Sequence, residues 1–255
     1  MTSTLEQAVP RSTSYALASA LPLAAAGIVV TAALVIILGV IGLVIGIVLT
    51  AVAVIVRVRT FTVGIDDAIL SQLGAAPASD DDSAGFRNLA EGLSATAGVP
   101  MPTLLVLDSP SVNVLVVGTD VDHAAIVATK GVLTQLSRIE LEAVIARAFV
   151  QLRQGEVFAA TMGLRLERAP MTRLFASMLG HQSTLDDPDH DVLLDRAAVM
   201  LTRYPPGLVD ALGVCVRVGT MVSAGSPSLR NLWLVDPLAD ATDSLTHRME
   251  ALRLL

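Results

Sequence analysis

Residues 16–56 read ALASALPLAAAGIVVTAALVIILGVIGLVIGIVLTAVAVIV, and no Asp, Glu, Lys or Arg occurs from Ser12 to Val56. About 20 apolar residues carry a helix across the hydrocarbon core of a bilayer. These 41 residues are therefore long enough for two crossings and too long for one ordinary one. The run predicts a hairpin of two transmembrane helices that turns near Ile36–Gly42, where Gly39 and Gly42 relax the backbone. The alternative is one long helix near Leu34–Val56, preceded by a tilted or interfacial segment interrupted at Pro22 and Gly27. A signal peptide fits poorly, because its apolar region is only about 7–15 residues long. Gly39, Gly42 and Gly46 recur at helical spacing and would let another helix come close.

The flanks set an orientation. Arg57 and Arg59 follow the run and Arg11 precedes it. Cationic flanks stay in the cytoplasm. The expected organisation is a membrane anchor over 1–59 and a domain over 60–255 on the cytoplasmic side of the cell inner membrane. Taking Arg11, Arg57, Arg59 and Glu6 from the chain totals of 17 and 24 leaves the domain 14 cations and 23 anions, a net charge of -9. Charge alone would not hold such a domain flat on an anionic lipid surface.

Whole-chain composition narrows the classes further. Hydrophobic residues make up 53% and charged residues 16%, against about 25% charged in ordinary soluble domains. A net charge of -7 argues against nucleic acid as a partner, since phosphate neutralisation needs clustered cations. The apolar content is too high for disorder. The single cysteine, Cys215, excludes an internal disulfide and any multi-cysteine metal site, and reads as a small buried hydrophobe.

Past the membrane run, GAAPASDDDS at Gly74–Ser83 reads as a loop. Leu89, Leu93 and Ala97 repeat at helical spacing over Phe86–Thr96, and Gly98-Val99-Pro100 stops the helix. Thr103–Leu107, Val112–Val117 and Ala124–Thr129 are short β-like runs with links too short for helices, which predicts a small antiparallel sheet. Gly131–Leu136 starts a short helix. Ser137 with Glu140 is a capping box opening a helix over Arg138–Gln154, which Gly155 closes. Ala159–Gly180 looks helical except at Pro170, Gly180–Asp189 is a polar loop, and helices follow at Val192–Arg203, Leu208–Val222 and Ser244–Leu255. The expected class is α+β: a helical membrane hairpin followed by a mainly helical domain with a small sheet.

The order of pieces resembles the HtpX-type membrane-anchored zinc metallopeptidases. Those pieces are Asn88-Leu-Ala-Glu-Gly-Leu93, Gly98-Val-Pro-Met-Pro102, Asn113–Gly118, Thr129-Lys-Gly-Val-Leu-Thr-Gln-Leu136 and Glu140-Leu-Glu-Ala-Val-Ile-Ala146. Asp191-Val-Leu-Leu-Asp195, followed by Leu201–Leu208, resembles the helix that carries the third metal ligand, and Leu229–Leu238 with Thr246–Leu252 resembles the closing segment. The resemblance covers about Arg57–Leu255. It implies a metallopeptidase-like domain and a setting in membrane protein quality control. In that family the segment after Glu140–Ala146 is His-Glu-x-x-His: both histidines bind one zinc, and the glutamate is the general base for zinc-bound water.

Here the same register gives Arg147 and Gln151 for the histidines and Ala148 for the base, with Asp191 where the ligand glutamate is expected and Asp195 four residues on. Arginine offers no lone pair and alanine takes no proton. The resemblance therefore implies no intact catalytic residue, no metal ligand set and no cofactor. A guanidinium can instead bridge carboxylates. Arg147 is expected to pair with Asp191 or Asp195 and join the two helices without metal, or else to face solvent.

Other constellations are weaker. His181, His190 and Asp191, beside Asp186, Asp187 and Asp189, could hold a divalent ion, yet a polar loop of this kind reads as solvated turn residues. His123 beside Asp122 reads as structural or exposed. His247 matches a histidine of the family's closing segment without the usual neighbouring proline. No Gly-x-Ser-x-Gly elbow or phosphate-binding glycine loop occurs, and the single lysine is Lys130.

The leading expectation is a catalytically inactive metallopeptidase homologue that binds protein or serves as a scaffold in a membrane complex. Its candidate peptide-binding edge strand is Asn113, Val114, Leu115, Val116, Val117 and Gly118, by analogy with substrates that add a strand beside the metal helix. Its expected partners are the lipid bilayer and a membrane protein or polypeptide. The alternatives are an active zinc endopeptidase using altered ligands and a purely structural subunit whose membrane helices matter most.

Overall fold

A computed structural model describes residues 12–61, 70–71, 73–78, 80–155, 157–158, 160–161, 188–223 and 227–255. The expected helices at 159–180 and the polar loop at 180–189 lie almost wholly outside these residues. The described residues form two units.

The first unit is a pair of helices, α1 (Ser12–Leu38) and α2 (Val40–Phe61). Gly39 alone joins them, at φ +61°, a left-handed conformation that costs glycine little. The hairpin, and not one long helix, is thus the structure of the apolar run. Windows at Ala20–Leu38 and Val40–Arg57 have mean hydropathies of 2.6 and 2.7, and their Val, Ile and Leu side chains are largely exposed, as lipid-facing residues are. The two helices touch through small residues. A Cβ on Gly27 would collide with Thr50, and one on Gly46 would collide with Thr31. Each threonine hydroxyl donates to the carbonyl four residues earlier, Thr31 to Gly27 at 2.7 Å and Thr50 to Gly46 at 2.8 Å. A Gly-x-x-x-Thr step on one helix thus meets the same step on the other, and no hydroxyl is left bare in an apolar setting.

The second unit is the α+β domain. It comprises β1 (Ala76–Pro77), α3 (Asp80–Ala97), β2 (Thr103–Leu107), β3 (Val114–Gly118) and β4 (Ala124–Thr129). Then come α4 (Lys130–Gln135), α5 (Arg138–Gln154), α6 (Pro188–Thr202), α7 (Pro205–Val218), a 3-10 turn at Pro227–Leu232 and α8 (Thr242–Arg253). The sheet order is β1-β2-β4-β3. It is mixed: β3 and β4 form the expected antiparallel hairpin, but β2 runs parallel to β4, with Leu105 opposite Val127. The link from β2 to β3 steps past the site of β4, which then returns between them. Antiparallel pairing throughout, as the short links suggested, is corrected accordingly.

Two sequence features hold that link. Thr129 Oγ1 donates to the Ser111 carbonyl at 2.6 Å and accepts from the Asn113 N–H at 3.0 Å. Gly131 lies so close to the Pro110 and Ser111 carbonyls that any Cβ there would collide with them. The Thr-Lys-Gly step is a clasp on the link as well as a helix start.

α5 is the centre of the domain. Its capping box forms as expected, with Glu140 accepting from the Ser137 N–H at 2.6 Å, and Gly155 closes it at φ +75°. Every residue from Ala143 to Leu152 is buried, so this helix is apolar nearly all round. Full burial of a side chain such as Phe149 or Leu152 contributes about 1.5–3 kcal/mol. α3, α6, α7 and β3 pack around it. α6 begins four residues before the expected Val192, since Pro188 suits the first helical turn, where no N–H partner is required. α7 likewise starts at Pro205 and stops at Val218, because Gly219 at φ +96° breaks it.

Candidate functional site

Burying α5 on all sides places Arg147 where no water reaches, at 1% exposure. A guanidinium there needs anionic partners. α6 supplies them, since Asp191 and Asp195 are one turn apart on the face it presents to α5. Arg147 Nε donates to Asp195 Oδ1 at 2.8 Å and Nη2 donates to Asp191 Oδ1. Arg147 therefore joins both carboxylates, and the solvent-facing alternative does not hold.

A fourth member arrives from the closing helix. Arg248 Nε donates to Asp195 Oδ2 at 2.6 Å and Nη2 donates to Oδ1 at 2.8 Å, while Nη1 donates to the Leu234 carbonyl at 2.9 Å. The Asp195 side chain is fully buried and held by both guanidinium groups; Asp191 is 40% exposed. The cluster pairs two cations with two anions and ties α5, α6 and α8 together. Burial works against the charged form of Arg248, but Asp195, with Asp191 behind it, more than offsets this and raises its pKa above the ordinary arginine value.

Sequence reasoning passed over Arg248. The signal was present: Leu245, Arg248 and Leu252 form one buried stripe on α8. An arginine in the apolar stripe of an amphipathic helix requires a buried partner. His247, the neighbour that drew attention, faces solvent.

The other positions singled out in the sequence are Ala148 and Gln151, both buried on α5. Arg147 has no lone pair, Ala148 has no polar atom, and the nearby carboxylates already accept from guanidinium groups. Among the described residues no three His, Cys, Asp or Glu side chains come together as a metal site would require. This donor set does not fit a zinc ion. His181, Asp186 and Asp187 lie outside the described residues. His123 sits on the exposed β3–β4 turn, its Nδ1 2.8 Å from Asp120. Cys215 is buried, its thiol donating to the Val112 carbonyl at 3.7 Å, and burial pushes its pKa up to about 12. It is a packing residue, not a nucleophile.

β3 ends the sheet, as an edge strand must, and its outer side is taken in part. Leu115 bridges Trp233, and the Leu234 N–H donates to the Val114 carbonyl at 2.7 Å. Asn113 fastens this segment from below: its Nδ2 donates to the Thr220 and Val235 carbonyls at 2.9 and 2.8 Å, and its Oδ1 accepts from the Val114 and Val235 N–H groups. The Gly118 N–H donates to Thr161 Oγ1 at 3.4 Å. Of the Asn113–Gly118 strand expected to take a peptide, Val114 and Leu115 meet the chain's own 233–235 segment, and Asn113 is a structural clamp.

Two apolar helices of membrane-spanning length and an α+β domain define the class, a membrane protein with a mixed-sheet domain. Within that class, the chain is 28% identical over 215 residues to a protease HtpX homolog of Dictyoglomus thermophilum, which covers 71% of each chain. It is 28% identical over 222 residues to the protease HtpX homolog of Limosilactobacillus reuteri, covering 69% of this chain and 74% of that one. A third, from Ligilactobacillus salivarius, is 26% identical over 218 residues, or 71% and 73% of the two chains. No family profile and no solved structure matches the chain. The three relatives, each similar over about 70% of this chain, support an HtpX-like family for it.

Proposed function

We propose that this chain is a non-hydrolytic member of its family, which binds protein or serves as a scaffold subunit at the membrane. Residues 1–59 are its anchor and residues 60–255 its working domain, on the cytoplasmic side of the inner membrane. Arg57, at the end of the second apolar span, supports that orientation together with Arg11 and Arg59.

One observation carries the reading. Arg147, in the register where a family member has its first zinc-binding histidine, sends its guanidinium to Asp191, in the register of the third ligand. A fixed positive charge stands between the helices that a metal ion would join in an active relative. Arg147, Ala148 and Gln151 remove both imidazole ligands and the general base together. Peptide hydrolysis needs an activated water, and these residues supply nothing to activate one.

The full chain in detergent, incubated with β-casein and with a detergent-solubilised membrane protein, tests this. The expected result is no cleavage above background, with or without chelator and with or without added zinc. Chelator-sensitive cleavage that disappears in Asp191→Ala would overturn it in favour of an active endopeptidase with altered ligands.

A further inference from the structure

A cleft of about 270 Å³ opens beside the charged cluster, between the first turn of α6, residues 230–241 and the start of α8. Asp191, Trp233, Asp236, Asp240 and Arg248 contribute to its walls. Trp233 is 2% exposed, and its indole N–H has no acceptor among the described residues. A buried donor is nearly always paired, so one without a partner in a cleft wall points to an acceptor from outside. Asp191 supplies the opposite need. Its Oδ1 accepts from Arg147, while its Oδ2 accepts no hydrogen bond from the described residues and has Arg248 Nη1 at 3.8 Å. A peptide group answers both requirements, with its carbonyl as acceptor and its N–H as donor.

Charge narrows the choice. Arg147 and Arg248 are matched by Asp191 and Asp195, and Arg230 by Asp236 at 3.5 Å. Asp240 has no cationic partner among the described residues. The Thr242 hydroxyl and backbone N–H hold its carboxyl below the usual range, so it is ionised at neutral pH. The wall keeps one negative charge in excess.

We propose that this cleft binds a polypeptide segment carrying a lysine or arginine side chain. The backbone meets Trp233 and Asp191, and the cationic end reaches Asp240. This rests on the protein-binding reading above and deepens it by naming what is bound.

Trp233 is the chain's single tryptophan, so its emission reports on the cleft wall. The full chain in detergent micelles is titrated with a blocked alanine pentapeptide carrying a central lysine, and with the same peptide carrying glutamate. The lysine peptide should change the emission saturably, and the glutamate peptide should not. Asp240→Asn should weaken lysine-peptide binding about fivefold, as expected for one exposed ion pair. Equal responses to both peptides, no saturation with lysine, or an unchanged affinity in Asp240→Asn would each overturn the proposal. Mass analysis of the recovered peptide keeps the two readings apart. Saturable binding of a peptide that is cut would leave the cleft assignment standing and remove the non-hydrolytic reading. An intact peptide that never bound would do the reverse.

Discussion

Arg147 Nε donates to Asp195 Oδ1 at 2.8 Å, across two helices and out of reach of solvent. Buried ion pairs add little net stability over well-packed apolar residues, because desolvation opposes the attraction. Removing one partner is another matter, since without Arg147 the buried cluster keeps two carboxylates and only Arg248 to neutralise them. Arg147→Ala should therefore cost about 3–5 kcal/mol and lower the melting temperature markedly. Arg147→Lys should lose less than Ala but still fall short, because an ammonium lacks the planar fork that reaches both carboxylates. Thermal melts of the detergent-solubilised chain decide this, and an unchanged midpoint in Arg147→Ala would contradict the cluster.

Asn113 spends both ends of its amide on the 220 and 233–235 segments. Asn113→Ala strands the Val235 and Thr220 carbonyls and should cost about 1–3 kcal/mol. Asn113→Asp should be worse, since a carboxylate then faces two carbonyl oxygens 2.8 and 2.9 Å from where Nδ2 stood. Urea titrations should rank wild type above Asn113→Ala and Asn113→Asp last. The aspartate variant lying above alanine would mean that the clamp works through shape alone.

In the hairpin, the mutual Gly27–Thr50 and Gly46–Thr31 contacts set how near the helices come. Gly27→Leu and Gly46→Leu should each wedge the helices apart, cost about 1–3 kcal/mol and lower the melting midpoint of the detergent-solubilised chain, whereas Ile36→Leu at an exposed position should leave it unchanged. An unchanged midpoint in both glycine variants would show that the helices meet elsewhere.

Cys215 gives the domain a pH dependence on the alkaline side. Its thiol keeps its proton up to about 12 in the folded chain, against 9.0 for the ordinary value. Between those values the unfolded chain has released a proton that the folded chain retains, so stability falls as pH rises. Below pH 9 the contribution is fully present. The decline should be at most about 1.4 kcal/mol per pH unit and should be absent in Cys215→Ala. Stability profiles of the two proteins between pH 8 and about 11 measure it, and parallel profiles would refute it.

What could be read from the residues was what is local. The Ser137–Glu140 box and Gly155 bound α5 at both ends because caps are decided within a few residues. Arg147 could be aimed at Asp191 and Asp195 because the family resemblance puts Arg147 and Asp191 where relatives hold one metal ion between two helices. Parallel pairing of β2 with β4, and partial closure of the β3 edge by residue 233, depend on segments far apart in the chain, and no local pattern encodes them. Arg248 lies between the two cases. Its place in an apolar stripe was legible, but its partner, 53 residues away, was not.

The most direct test of the central claim is the metal content of the purified chain. The protein is prepared without chelator, incubated with excess zinc, exchanged into metal-free buffer and measured by plasma mass spectrometry against protein concentration. The account predicts background zinc, the same in wild type and in Asp191→Ala. One zinc per chain that withstands exchange and is lost in Asp191→Ala would contradict it.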